Sequence, residues 1–115
     1  MAVTGTVLVV DDQDVVRDVI RISLENAGYR VLEAASPGAA IAIARGADEL
    51  DLLVTDVVMP EMDAFELAER ITRELPGIRV LYTSGYTDAG AEGPFIQKPF
   101  TPSELVEKVG SVLGS

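Results

Sequence analysis

The feature that most constrains the fold is an alternation of short, continuously apolar runs with longer segments of helical periodicity. Thr6–Val10 and Leu52–Thr55 are uninterrupted runs of apolar and β-branched residues, which is typical of strands buried on both faces of a sheet. Between them, Asp14–Ala27 carries apolar residues three or four positions apart, as one face of a helix does. This alternation predicts a parallel sheet that is covered by helices on both faces.

The remaining elements follow the same alternation. We predict three further strands, at Tyr29–Ala34, Ile78–Thr83 and Phe95–Gln97. Three further helices are predicted from Pro37 to about Arg45, from about Asp63 to Leu75 and from Thr101 to Leu113. Ser36 is a predicted N-cap, and Thr101 to Glu104 reads as a capping box. Because no linker or internal repeat interrupts this pattern, we expect residues 1–115 to form one α/β domain with a five-stranded, doubly wound sheet.

The composition excludes several classes of site. The chain has no cysteine and no histidine, which excludes disulfides, thiolate metal sites, cysteine nucleophiles, Ser-His-Asp triads and the usual zinc sites. A formal net charge of −10 argues against direct binding of nucleic acid. The apolar runs are far shorter than the ~18–20 residues that cross a bilayer, and no signal-peptide pattern is present. We therefore expect a cytoplasmic protein without membrane contacts, whose chemistry is carried by carboxylates.

Polar and charged residues follow the predicted strands at their carboxyl ends. Asp11 and Asp12 follow the first strand, Asp56 the third, Ser84 the fourth and Lys98 the fifth. Each residue alone has an ordinary explanation, as an acidic helix start, a solvated loop residue, a turn residue or a surface lysine. In a doubly wound sheet, however, functional residues gather at this edge. The joint pattern therefore predicts one site.

Three clustered carboxylates repel one another unless a positive charge intervenes. Lys98 is one candidate, and a hard cation held by oxygen ligands is the other, with Mg²⁺ ahead of Mn²⁺ and Ca²⁺. A carboxylate beside Mg²⁺ and a lysine is a plausible nucleophile toward phosphorus, which would form an aspartyl phosphate. In such a site the Ser84 hydroxyl would donate a hydrogen bond to a phosphoryl oxygen.

Four segments together resemble the response regulator receiver domains of two-component signalling, over essentially the whole chain. The segments are VLVVDD at Val7–Asp12, LVTDVVMPEMD at Leu53–Asp63, VLYTSGYTD at Val80–Asp88 and FIQKPF at Phe95–Phe100. The sequences of the last two segments are most similar to those of receiver domains attached to hybrid sensor histidine kinases. The resemblance implies a flavodoxin-like sheet with strand order 2-1-3-4-5.

The resemblance also implies roles for individual residues. Asp56 would be the phosphoacceptor, taking its phosphoryl group from a phosphohistidine of a sensor histidine kinase or a histidine phosphotransfer protein. Asp12 would bind Mg²⁺ directly, Asp11 through water, and Val58 through its backbone carbonyl. Such a domain is not a classical enzyme, although it catalyses its own phosphorylation and autodephosphorylation.

Three further residues match the parts of the family that respond to phosphorylation. Ser84 matches the switch hydroxyl and Phe95 the aromatic rotamer switch, while Lys98 matches the family lysine and would precede a cis bond to Pro99. Tyr86 lies two residues beyond Ser84, where it would shield the phosphoryl group from water.

The chain departs from the family at two places. Ala64 stands where glycine is common, which would shift the start of the third helix slightly. Gly85–Pro94 leaves only ten residues between the fourth and fifth strands. Because this segment is short and contains glycine and proline, we predict that the family's fourth helix is shortened or absent. Its loss would uncover apolar surface on the face made by strand four, strand five and the last helix, around Val80, Tyr82 and Phe95, and this surface would favour self-association or a partner.

Two other functions stay open at this point. A binding-only pseudo-receiver would keep the fold but not the phosphoryl chemistry. A Mg²⁺-dependent aspartyl-phosphate phosphatase would need a second aspartate two residues after the nucleophile, where this chain has Val58. The sequence also leaves open the cognate kinase, the effector, the phosphoryl lifetime, the oligomeric state, and whether the domain stands alone or belongs to a hybrid kinase.

Overall fold

The computed structural model describes residues 5–85 and 93–114. In chain order, its elements are β1 (Thr6–Val10), α1 (Asp14–Asn26), β2 (Arg30–Ala34), α2 (Pro37–Gly46), β3 (Leu52–Asp56), α3 (Ala64–Glu74), β4 (Arg79–Ser84), β5 (Phe95–Gln97) and α4 (Pro102–Val112). The alternation expected from the sequence is confirmed, and every predicted boundary lies within about one residue of the observed one, as is normal at frayed element ends.

The five strands form one parallel sheet in the order β2-β1-β3-β4-β5, which confirms the predicted flavodoxin-like topology. Strands β1 and β3 are neighbours in the sheet, and Val9 on β1 lies opposite Val54 on β3. The strand order changes direction between these two strands. Their carboxyl ends therefore form the crevice in which doubly wound sheets place functional residues.

Apolar side chains cover both faces of the sheet because successive residues of a strand point in opposite directions. On β1, Leu8 and Val10 belong to the core under α2 and α3, whereas Val7 and Val9 belong to the core under α1 and α4. All four side chains are buried. This arrangement explains why the strands read as continuous apolar runs rather than as an alternating pattern.

Helix starts follow the predicted capping chemistry. The Ser36 hydroxyl accepts a hydrogen bond from the Ala39 N–H at the start of α2. Thr101 and Glu104 form the predicted capping box at the start of α4. The first residue of α3 is Ala64, which is fully buried, and the preceding Asp63 accepts from the Phe65 N–H. These caps satisfy N–H groups that have no partner within their helices.

The connection between β4 and β5 comprises residues 85–94. Its described residues, Gly85, Gly93 and Pro94, are not helical. Four helices occur in the described ranges. The predicted shortening or loss of the family's fourth helix falls on residues 86–92, which lie outside the described part of the chain, as does the predicted shielding residue Tyr86. Among residues 5–85 and 93–114, no helix combines the length and the hydropathy that a membrane span requires.

One prediction about this side of the sheet is wrong. Tyr82 was expected to be uncovered, but it is only 6% exposed. The ring of Phe65, in the first turn of α3, packs against Tyr82 with ring centroids 4.9 Å apart. Val80 and Phe95 are half-buried and pack against the same core. The aromatic contact therefore covers part of the surface that the short crossover was expected to expose.

Candidate functional site

Three carboxylates meet at the crevice between the carboxyl ends of β1 and β3. Asp11 and Asp12 follow the last residue of β1, and Asp56 is the last residue of β3. Each offers an oxygen within 4.8 Å of the others. Asp11 is completely buried and Asp56 is 7% exposed, whereas Asp12 is open to solvent. The parallel pairing of β1 with β3 thus brings together the three carboxylates that the sequence predicted at this edge.

Lys98 brings a positive charge to two of these carboxylates. Its Nζ atom lies 3.3 Å from Oδ2 of Asp11 and 3.3 Å from Oδ2 of Asp56. The backbone turns sharply after β5 through a cis peptide bond between Lys98 and Pro99. The Lys98 N–H donates to the carbonyl of Ser84 at 2.6 Å, which ties the end of β5 to the end of β4. One ammonium group facing three carboxylates leaves the site with net negative charge.

The electrostatic environment raises the pKa of Asp56 above its usual range. Burial is the main cause, because it penalises the charged carboxylate, and the nearby charge of Asp11 acts in the same direction. The Lys98 ammonium opposes this shift, as does the Val58 N–H, which donates to Oδ1 of Asp56 at 3.2 Å. Neutralising the Asp56 carboxylate with a cation would therefore relieve an unfavourable charge.

The other predicted site residues surround this cluster. Ser84 ends β4 and is fully buried, one position beyond Thr83, which lies opposite Asp56 in the sheet. Val58 lies in the loop after β3 with its side chain 61% exposed. Phe95 is the first residue of β5 and packs partly against the core under α2 and α3. The structure brings Ser84 to the same edge as Asp56, and it places Phe95 one strand further out.

Arg17 is a neighbour of the site that the sequence analysis did not predict. From α1, its Nη1 donates to the backbone carbonyl of Asp11 at 2.8 Å. A helical side chain leans toward the N-terminus of its own helix, so an arginine in the first turns of α1 reaches back to the end of β1. The sequence offered one signal for this contact, which is that Arg17 lies only six residues after Asp11, near the start of the predicted helix.

The donor set fits a hard divalent cation. Asp11, Asp12 and Asp56 provide oxygen atoms only, and the sequence has no histidine or cysteine that would favour zinc. Exposed acidic groups often cluster without a metal, but two of these three carboxylates are buried. Burying carboxylates beside one another is unfavourable without a cation to neutralise them. The exposed Asp12 leaves one side open to water molecules and to a further oxygen ligand.

Comparison with known proteins shows what the chain is similar to. The family model of the response regulator receiver domain matches residues 7–110. Sensor kinase CckA of Brucella abortus is 37% identical over 119 residues, which cover 96% of this chain but 13% of CckA. The response regulator receiver protein CpdR of the same organism is 35% identical over 112 residues, which cover 90% of this chain and 91% of CpdR.

The chain is also similar to a solved crystal structure. The receiver domain from the hybrid histidine kinase CckA is 37% identical and superposes with a TM-score of 0.85. The superposition covers 95% of this chain and 99% of that domain. The resemblance to receiver domains of hybrid kinases, drawn from the sequence, is therefore confirmed.

Proposed function

The chain belongs to the family of response regulator receiver domains, and from this premise we propose that Asp56 accepts a phosphoryl group from a phosphohistidine of a partner protein. The observation that carries the proposal is the position of Lys98, whose Nζ lies 3.3 Å from both Asp11 and Asp56. An ammonium group at this point can neutralise both the nucleophile's neighbour and the incoming phosphoryl oxygens. Phosphoryl transfer needs little from a protein beyond such alignment and neutralisation of charge.

In the proposed transfer, an oxygen of Asp56 attacks phosphorus. A new P–O bond forms as the P–N bond of the donor breaks, and the electron pair of the broken bond goes to the imidazole nitrogen. The Val58 N–H on Oδ1 of Asp56 holds the carboxylate in one orientation. Asp11, Asp12 and Asp56, with the backbone carbonyl of Val58 as a further proposed ligand, would hold Mg²⁺. When bound, Mg²⁺ neutralises charge on the phosphoryl group.

The same arrangement of residues would support loss of the phosphoryl group from Asp56. In autodephosphorylation a water oxygen attacks phosphorus, the P–O bond to Asp56 breaks and inorganic phosphate leaves. The open side of the cluster at Asp12 gives water access.

The proposed switch runs through Ser84 and Phe95. Ser84 would donate its hydroxyl hydrogen bond to the phosphoryl group, and Phe95 would then change rotamer. The support is that Ser84 is fully buried and that its carbonyl is hydrogen-bonded to Lys98, three residues after Phe95 on the same segment. If Ser84 moves toward Asp56, this hydrogen bond therefore pulls on the segment that carries Phe95 and Lys98.

The partner would approach across α1. Val15, Val19 and Ile22 are 76%, 44% and 48% exposed, and their spacing of four and three residues places them on one face of the helix. Val15 lies in the first turn of α1, and the exposed Val58 lies in the loop after Asp56. A sensor histidine kinase or histidine phosphotransfer protein with apolar residues around its phosphohistidine fits this surface.

Self-association through β4, β5 and α4 stays part of the proposal in a reduced form. The half-buried side chains of Val80 and Phe95 support it, whereas the covered ring of Tyr82 no longer contributes.

The alternatives have less support. A phosphatase would need a general acid where the exposed, apolar Val58 stands. A binding-only pseudo-receiver has no need for a lysine between two buried carboxylates.

Intact-mass spectrometry tests the proposal directly. The protein is incubated with acetyl phosphate, with and without Mg²⁺, beside an Asp56→Asn variant. We expect a gain of one phosphoryl group that needs both Mg²⁺ and Asp56. A folded wild-type protein that gains none under saturating donor would support the binding-only function instead.

A further inference from the structure

Arg17 holds the segment that carries two of the three carboxylates. Its side chain is only 14% exposed, and Nη1 donates to the backbone carbonyl of Asp11 at 2.8 Å. Two acidic side chains hold the guanidinium in turn. Nη2 donates to Oδ1 of Asp14 at 2.6 Å, and Nε forms an ion pair with Glu33 of β2 at 3.7 Å. The guanidinium therefore links the end of β1, the start of α1 and the end of β2.

The carbonyl that Arg17 contacts belongs to the peptide group joining Asp11 to Asp12. A peptide group is planar, so fixing its oxygen fixes the plane from which both residues project. The same loop is held at two other points. The Asp11 N–H donates to the carbonyl of Ala34 at 3.3 Å, and the Gln13 N–H donates to Oδ1 of Asp11 at 2.9 Å. Only Arg17, among the described side chains, holds the Asp11–Asp12 peptide oxygen.

We propose that Arg17 is a positioning residue for the acidic cluster, fixing the Asp11–Asp12 peptide so that both carboxylates face one divalent cation. The inference rests on the metal site of the proposed function. Residues that orient metal ligands commonly change metal affinity by about 10- to 100-fold when they are replaced.

Electrostatics alone would give the opposite result. A guanidinium near a cation site repels the cation, so its removal should tighten binding of Mg²⁺. In this structure the charge of Arg17 is balanced by Asp14 and Glu33, which reduces that repulsion. The positioning role and the charge effect therefore predict opposite signs for one substitution.

Arg21 is the matched control. It lies one turn further along α1 and pairs with the same Glu33 at 3.5 Å, as well as with Glu25 at 2.9 Å. Within the described ranges it has no contact with the Asp11 carbonyl. Arg17→Met and Arg21→Met each remove one positive charge and retain an apolar stem, but only the first releases the loop.

The test measures the Mg²⁺ dissociation constant of the unphosphorylated protein by titration calorimetry. In parallel, hydrogen exchange of the Gln13 amide is measured without metal. We expect Arg17→Met to weaken Mg²⁺ binding about tenfold and to speed exchange at Gln13. Arg21→Met should stay within about twofold of wild type. Arg17→Lys, which retains the charge but not the planar fork, should fall between wild type and Arg17→Met, and it serves as the test variant if Arg17→Met does not fold.

The outcomes separate this inference from the proposed function. Unchanged or tighter Mg²⁺ binding in Arg17→Met would overturn the positioning role. If the wild type binds no Mg²⁺, the proposed metal site fails, and exchange at Gln13 decides about Arg17 without metal. Unchanged exchange would then overturn the inference, and faster exchange would support the role of Arg17 in holding the loop.

Discussion

The Nζ atom of Lys98 lies 3.3 Å from Oδ2 of Asp56, although the whole of β4 lies between the strands that carry the two residues. The contact spans the sheet because β5 ends at Gln97 and Lys98 is the next residue of the chain, at the same edge as the end of β3. Lys98 reaches back over the end of β4, where its N–H is bonded to Ser84. The single lysine that neutralises the cluster thus depends on the pairing of β4 with β5.

Replacing the buried carboxylate of Asp56 should stabilise the metal-free fold. Asp56→Asn removes a charge that burial and Asp11 disfavour, so we expect the free energy of unfolding to rise by about 1 kcal/mol, the usual size of a single-site effect. Urea denaturation at pH 7 with a chelator measures the change. Asp12→Asn, at an exposed position, is the control and should have a smaller effect. Destabilisation by Asp56→Asn would mean that the Lys98 ion pair outweighs the cost of burial.

The same carboxylate predicts a pH dependence. The pKa of Asp56 is higher in the folded than in the unfolded protein, so the folded state holds its proton to higher pH. The contribution of this group to stability is therefore largest below its unfolded pKa, near 3.9, and is lost as the pH rises through its folded pKa. In the absence of Mg²⁺, we expect Asp56→Asn to gain most over wild type at the neutral end of a denaturation series between pH 4 and 7. A gain that does not change with pH would contradict this reading.

A pair of buried threonines gives a sharper test of packing. Among the described residues, Thr83 Oγ1 is buried without a hydrogen-bond partner, whereas Thr55 Oγ1 donates to the carbonyl of Asp56 at 3.1 Å. Because an unpaired buried hydroxyl is unfavourable, Thr83→Val should stabilise the protein by about 1 kcal/mol. Thr55→Val should destabilise it by a similar amount. Thermal unfolding of the two variants measures both changes in stability. Equal effects of the same sign would contradict the claim that only the Thr55 hydroxyl is hydrogen-bonded.

Glu61 occupies a conformation that favours glycine. Its φ angle is +77°, in the loop between β3 and α3. Residues other than glycine are disfavoured at such a positive φ angle by roughly 1 kcal/mol, because their Cβ atom comes too close to the backbone. We expect Glu61→Gly to raise the free energy of unfolding by about 0.5–1 kcal/mol, while Glu61→Ala, which keeps a Cβ atom, gives no gain. Chemical denaturation of both variants measures this, and an equal gain in the two would point to removal of the Glu61 charge instead.

The apolar face of α1 should matter for a protein donor only. Val15→Glu places a charge on this face, and we expect it to slow phosphoryl transfer from a phosphorylated partner at least about tenfold, since it buries a charge against an apolar surface. The rate with acetyl phosphate should stay unchanged. Ala42→Glu, an exposed position on α2 across the sheet, is the matched control. Equal slowing with both donors would show that Val15 acts on the site itself rather than on docking.

The fold was predictable because burial on both faces leaves a direct record in the sequence. Runs such as Val7–Val10 have no polar residue to place at a surface, and charged residues stand at the carboxyl ends of the first, third and fifth strands. The order of the strands came from the family resemblance rather than from the pattern.

Side-chain contacts between distant elements were harder to predict. The cover that Phe65 gives Tyr82 depends on where α3 begins relative to β4, and the bond from Arg17 to the Asp11 carbonyl depends on the direction of one long side chain. The Thr83 hydroxyl has no hydrogen-bond partner among the described residues because its neighbours place no polar atom within reach. None of these contacts leaves a periodic pattern in the sequence, because each joins residues that are close in the fold but not at a regular interval along the chain.

The hydrogen bond from Lys98 N–H to the Ser84 carbonyl closes the crossover at its base. Two site residues are thereby joined directly, whatever length of chain runs between them. Lengthening a closed loop adds only a slowly growing entropy cost, about 0.6 kcal/mol for each doubling. This segment can therefore change in length and in sequence while the carboxylate cluster and Lys98 stay in place. The same closure makes the segment a suitable position for grafting a foreign sequence into the domain.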